Sequence, residues 1–149
     1  MKTTRFALGV VACLLAGATL APAGSGQESQ PAGRSVWDGV YTEEQARRGE
    51  ALYQRACAGC HGGDLAGDGF SPALGGPAFL GNWNGTTLAD LFERIRISMP
   101  PEDPEAVSRA QKADILAFIL KACHFPAGKV ELASQTERLR DIRFVATKP

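Results

Sequence analysis

Three stretches of the chain carry apolar residues at helical spacing. Thr42-Glu43-Glu44-Gln45 reads as a capping box, with Thr42 accepting a backbone N–H and Gln45 reaching back. Behind it Ala46, Gly49, Leu52, Tyr53 and Ala56 recur at helical intervals, which predicts a helix to about Ala56. A second helix starts near Thr87, with Leu88, Leu91, Phe92 and Ile95 as its apolar stripe and Asp90 in the favourable first turn. Met99-Pro100-Pro101 ends it, because proline has no N–H and clashes with the preceding turn. A third helix spans Ser108 to Ala122, with Ala113, Leu116, Ala117 and Leu120 on one face and Ile115, Phe118 and Ile119 beside it.

Elsewhere the period fails. From Gly62 to Gly85 (GGDLAGDGFSPALGGPAFLGNWNG) glycine and proline punctuate the chain, predicting a long loop. Such a loop is uncommon in a small domain unless it wraps something. Trp37 and Tyr41, just before the first helix, are expected to pack back onto the domain. The only strand candidate is Ile142 to Val145, in a charged tail. The pattern gives an all-α fold of three main helices and long loops whose core has little to fill its middle. A large apolar ligand supplying part of that core makes such a chain more plausible.

The first 23 residues have the layout of a secretory signal peptide: Lys2 and Arg5, an uncharged apolar run from Phe6 to Leu20, then Ala21-Pro22-Ala23 as the cleavage site. The run is short for a membrane anchor. A lipobox-like Val10-Val11-Ala12-Cys13 offers a lipoprotein alternative, but only about seven apolar residues precede Cys13. Residues 24–35 (GSGQESQPAGRS) read as a flexible linker, 36–126 as the domain, and 127–149 as an extension packing on it or trailing from it. Cleavage leaves 14 basic against 16 acidic side chains, a net charge of −2. That balance argues against nucleic acid as a partner and against a polybasic membrane surface mode. Any membrane association is therefore expected through partners.

Three cysteines remain, Cys57, Cys60 and Cys123, a poor basis for a disulfide framework. Cys57-Ala58-Gly59-Cys60-His61 admits three readings. A dithiol redox motif wants a helix N-terminus after a strand, whereas this motif follows a helix. A zinc site could be drawn from Cys57, Cys60, His61, Cys123 and His124, but adjacent Cys-His pairs are awkward for one tetrahedral ion. Covalent c-type haem attachment suits the spacing best: cysteines three apart share one face of a helical turn, and His61 follows as an iron ligand. Met99, the one methionine after Met1, precedes Pro100-Pro101 and is the candidate second ligand. Its alternative is core filler. His124, at the end of the third helix, is expected to serve the helix dipole or solvent. Gly62 to Gly69 lacks the strand and Lys-Ser/Thr of a phosphate loop, and Asp64 and Asp68 lack the twelve-residue calcium pattern.

With Cys57-x-x-Cys60-His61 and Met99-Pro100 in place, residues 40 to 126 resemble a class I c-type cytochrome. The resemblance implies the cytochrome c fold around one covalently bound haem c. It implies that Gly49 and Tyr53 cross the last helix at Ile115 and Phe118. It further implies that the Pro72 carbonyl accepts the His61 Nδ1–H and that Trp83 bonds a haem propionate. "DGVYTEEQARRGEALY", "NWNGTTLADLFERI" and "MPP" resemble single-haem bacterial cytochromes found beside, or fused to, quinoprotein alcohol dehydrogenases. Such relatives would carry Asn-Gly at Cys123-His124, so Cys123 is either a buried apolar thiol or an intermolecular disulfide.

The expected function is that of a high-potential periplasmic one-electron carrier, not an enzyme, since His61 and Met99 would saturate the iron. A quinoprotein-type dehydrogenase or a terminal oxidase would be its partner. Its contact ring would be Gly62 to Phe70 and the Met99-Pro100 rim, tuned by Arg94, Arg96, Glu102 and Asp103. The alternatives are a haem-based sensor or gas-binding domain, and an obligate dehydrogenase subunit.

Overall fold

The computed structural model describes residues 33–149; the expected signal peptide and most of the expected linker lie outside that range. Among the described residues there are five α-helices: α1 Glu43–Ala56, α2 Ala58–His61, α3 Gly76–Trp83, α4 Leu88–Ser98 and α5 Arg109–Ala122. Short 3-10 turns occur at Pro104–Ala106 and Thr136–Leu139. No strand forms among the described residues. The Ile142–Val145 segment contributes only isolated bridges, Arg143 pairing with Ser35 and with Thr87. No helix among them is long and apolar enough to cross a membrane.

The three periodic helices stand where their stripes predict, and each begins at a capped residue. Thr42 accepts from the Gln45 N–H. Thr87 with Asp90, and Ser108 with Gln111, form complete capping boxes. The Thr42 box is only half made, which corrects the sequence reading. The buried Gln45 amide turns away to bond both the carbonyl and the N–H of Leu132, because the tail lies over this end of α1. The long loop needs a second correction. Its middle folds as α3, opened by Gly75 with Pro77 in the first turn. Only Phe79 of α3 is buried, so its eight residues give no period to read.

α1 and α5 form the principal helix pair. At their crossing a Cβ on Gly49 would lie 1.8 Å from the Asp114 carbonyl oxygen, so only glycine allows this approach. One turn on, the Tyr53 and Phe118 rings meet with centroids 5.2 Å apart. α5 ends in a Schellman motif: Phe125 N–H reaches the Leu120 carbonyl and His124 N–H the Lys121 carbonyl. The exposed His124 takes the left-handed position there, with φ 64°.

The tail wraps the helices. Leu132, Leu139, Ile142 and Phe144 are buried. Phe144 meets Phe125 and Phe79 edge-on, at 5.4 and 6.1 Å. Trp37 donates its indole N–H to the Val145 carbonyl and Tyr41 its hydroxyl to that of Phe125. The Thr136–Leu139 turn is pinned to α4 by the Thr136 hydroxyl on Glu93, which also holds Arg96. The Arg96 guanidinium, then the Thr136 hydroxyl, hold the Glu93 carboxyl down at about 2.

Two outcomes follow. Gly49→Ala destabilises the protein by about 3 kcal/mol in a denaturant titration, because the added methyl overpacks backbone that cannot yield. The Glu93 carboxyl is depressed in the folded state, so its stabilisation is complete above its ordinary value of 4.5 and is lost as pH falls through about 2. With the pair roughly a third exposed, the loss is about 1 kcal/mol, and Glu93→Gln removes that part of the acid sensitivity in thermal melts.

Candidate haem-binding site

The site grows from the end of α1. Cys57 caps α1 and starts the single turn of α2, which places Cys60 and His61 on the following residues. Gly62 then reverses the chain, and its carbonyl accepts the Tyr53 hydroxyl at 2.6 Å. The loop beyond is tied down from within. Gly67 N–H bonds the His61 carbonyl at 2.8 Å, and Leu74 N–H the Leu65 carbonyl at 2.9 Å. Asp68 accepts from the Phe70 and Ser71 N–H groups, which hold its carboxyl below the usual range. Asp64 accepts from Ala66. Both aspartates thus serve loop turns. Gly67, at φ 75°, packs so closely on Ser71 that a Cβ would sit 2.4 Å from its carbonyl oxygen. This brings the Pro72 carbonyl to 2.8 Å from His61 Nδ1. Nδ1–H donates there, which leaves Nε2 with a free lone pair for a metal.

Cys57, Cys60, His61, Pro72, Trp83 and Met99 all line one cavity of about 500 Å³. Cofactor-sized pockets span roughly 300–1,000 Å³. Its walls are mainly apolar: Leu74 from the loop, Phe79 from α3, Leu91 and Ile95 from α4, Ile115 and Ile119 from α5. Met99 enters as the C-cap of α4, in extended conformation before Pro100. Trp83 stands at the end of α3, with its ring 6.4 Å from Phe79. Phe70, Pro100, Pro101, Arg94 and Glu102 rim the opening. Phe70 is 99% exposed. Arg96 is committed to Glu93 at 2.6 Å, which removes it from the free charges of this rim.

The donor set fits haem and not the other readings. Burial, then the neighbouring Cys60, pushes the Cys57 thiol up, the opposite of an activated redox thiolate. Among the described residues no three His, Cys, Asp or Glu side chains gather as a metal cluster. Cys123 is buried, with its thiol against the Leu74 carbonyl at 3.9 Å, while His124 is exposed. What the cavity offers is an apolar slot, one imidazole nitrogen, one thioether and two thiols on adjacent turns, the groups that c-type haem uses.

A family model described as "Cytochrome C oxidase, cbb3-type, subunit III" matches residues 44–119, from the first turn of α1 into α5. The chain belongs to this family. It is therefore a c-type cytochrome with the all-α cytochrome c fold, a haem-based electron-transfer protein that works with redox partners and is not an enzyme. No curated protein and no solved structure matches the chain.

Phe79 and Lys112 are among the cavity residues missed in the sequence. Phe79 gave no signal, since α3 has no second buried residue. Lys112 gave one: it sits on the apolar stripe of α5, three, four and seven residues before Ile115, Leu116 and Ile119, and is only 2% exposed.

Burial pushes the Cys123 thiol up to about 11, so at pH 8 it is almost wholly protonated and shielded. An alkylating reagent leaves Cys123 unmodified in the folded protein and labels it after denaturation, as read by mass spectrometry.

Proposed function

We propose that the protein is a periplasmic one-electron carrier that holds one haem c through thioethers to Cys57 and Cys60, with His61 and Met99 as axial ligands. The observation that carries this reading is the 2.8 Å contact between His61 Nδ1 and the Pro72 carbonyl, in the same cavity as Met99. That bond fixes the tautomer, so His61 presents Nε2 without a proton to displace. Met99 adds a soft thioether, which favours the reduced metal. Haem iron, when bound there, supplies the one-electron couple. The apolar walls disfavour the more highly charged oxidised form and exclude water. Together these effects raise the reduction potential.

With His61 and Met99 both bound to the iron, a gas would find no open site, which weighs against a sensor. Exchange of the electron belongs to the rim where Phe70, Pro100 and Pro101 stand, with Arg94 and Glu102 as the charges that steer encounter. The donor we favour is a quinoprotein-type dehydrogenase, on the sequence segments around α1 and α4. The acceptor is a respiratory one, and the matched family's description points to a terminal oxidase. Tight co-purification with a dehydrogenase would instead mark the chain as its fixed subunit.

The test is spectroscopic and kinetic. The ferric holoprotein shows the weak long-wavelength Met–iron band and is reduced rapidly by a purified quinoprotein alcohol dehydrogenase. Met99→Ala abolishes the band, admits carbon monoxide and lowers the potential by at least 59 mV, a roughly tenfold shift of a one-electron equilibrium. A bis-histidine spectrum, or a Met99→Ala protein that keeps the band, sinks the ligand assignment.

A further inference from the structure

Lys112 is a buried cation without an ion pair. Its ammonium belongs to none of the salt bridges among the described residues. It donates instead to two backbone carbonyls, Arg96 at 2.9 Å and Pro104 at 2.6 Å. A buried charge is costly unless its hydrogen bonds compensate it, and burial does push this amine down. The two acceptors are informative. Arg96 lies in the last turn of α4, where carbonyls lose their helical partners. Pro104 opens the next 3-10 turn. Between them runs the segment that carries Met99, whose neighbour Ile97 is 59% exposed and whose residues Pro101, Glu102 and Asp103 are exposed. That segment has little packing of its own. Lys112, fixed in α5, ties both of its ends to the helix that forms the opposite side of the α1 crossing.

We propose that Lys112 is a positioning residue for Met99: its ammonium staples the two ends of the 97–103 segment and so holds the thioether in the cavity. This rests on the reading of Met99 as an axial ligand. Lys112 also lines the cavity, and its charge is felt at Cys57. A fixed positive charge there opposes the ferric state and raises the potential. The same side chain thereby acts on ligand and couple together.

Imidazole, which competes with Met99 for ferric iron, is the probe. In Lys112→Met holoprotein the Met–iron band weakens and imidazole binds at least about tenfold more tightly, since the loss of even one charge-assisted hydrogen bond is worth about a factor of ten in the closed state of the segment. The reduction potential falls as well. Lys112→Arg, which keeps a charged donor, lies closer to wild type in all three readouts. Ile142→Ala, which weakens packing at the far end of α4, serves as the control and leaves imidazole affinity unchanged. If Lys112→Met yields no holoprotein, Lys112→Gln is read by the same criterion. Imidazole affinity within twofold of wild type in these variants overturns the proposal. So does an equal gain in Ile142→Ala, or an arginine variant as permissive as methionine. A wild-type protein that lacks the Met–iron band instead fells the ligand reading, and this inference with it.

Discussion

The backbone of α1 touches the backbone of α5 at Gly49, and the haem-binding cavity hangs from that contact. A Cβ there would sit 1.8 Å from the Asp114 carbonyl oxygen, so the two helices approach too closely for any side chain at that position. α1 runs from this crossing into Cys57 and the α2 turn that carries His61. α5 runs from it with Ile115 and Ile119 facing the cavity and Lys112 one turn earlier. The distance between the two sides of the site is therefore set by a residue with no side chain. Tyr53 extends the same contact, with its ring on Phe118 and its hydroxyl on the Gly62 carbonyl. Helix packing and the reversal after His61 thus share one support.

The loop after His61 looks unconstrained by composition, yet few of its polar groups are idle. Asp64 and Asp68 bond their own turns, Gly67 bonds back to His61, and the product is one carbonyl aimed at one imidazole nitrogen. A redox site gains from supports of this kind, because ligands held by their surroundings do not need to reorganise when charge changes. The far wall is supported differently. Phe144 comes from the tail and closes an aromatic stack with Phe125 and Phe79 behind the cavity. The tail is part of the pocket's structure, and its 3-10 turn is locked to α4 through Thr136 and Glu93.

The three long helices were legible because each combines a cap with a stripe of several buried residues. α3 was not legible, because eight residues with one buried position carry no period. Gln45 was misread for a related reason. Its type suits a capping box, but Leu132 offers it two buried backbone partners. His124 occupies a left-handed position where glycine or asparagine is usual, and nothing nearby in the sequence announces it. Lys112 was legible in principle, as a charge on an apolar stripe, but its partners lie on α4 and in the segment after it.

The sequence by itself determined the candidate donor set. Two cysteines three apart, a histidine directly after them and a methionine before two prolines are local facts, and so are the helices that flank them. Periodicity and residue chemistry act over a few positions, so they can be read in order along the chain. Tertiary structure decided which of these groups share a cavity. It set the 2.8 Å from His61 to Pro72, the backing of Phe79 by a tail residue, and the binding of Lys112 to both ends of the Met99 segment. These contacts join residues distant in sequence, and their geometry depends on how closely α1 and α5 pack. No local pattern carries that distance; it exists only once the helices have crossed.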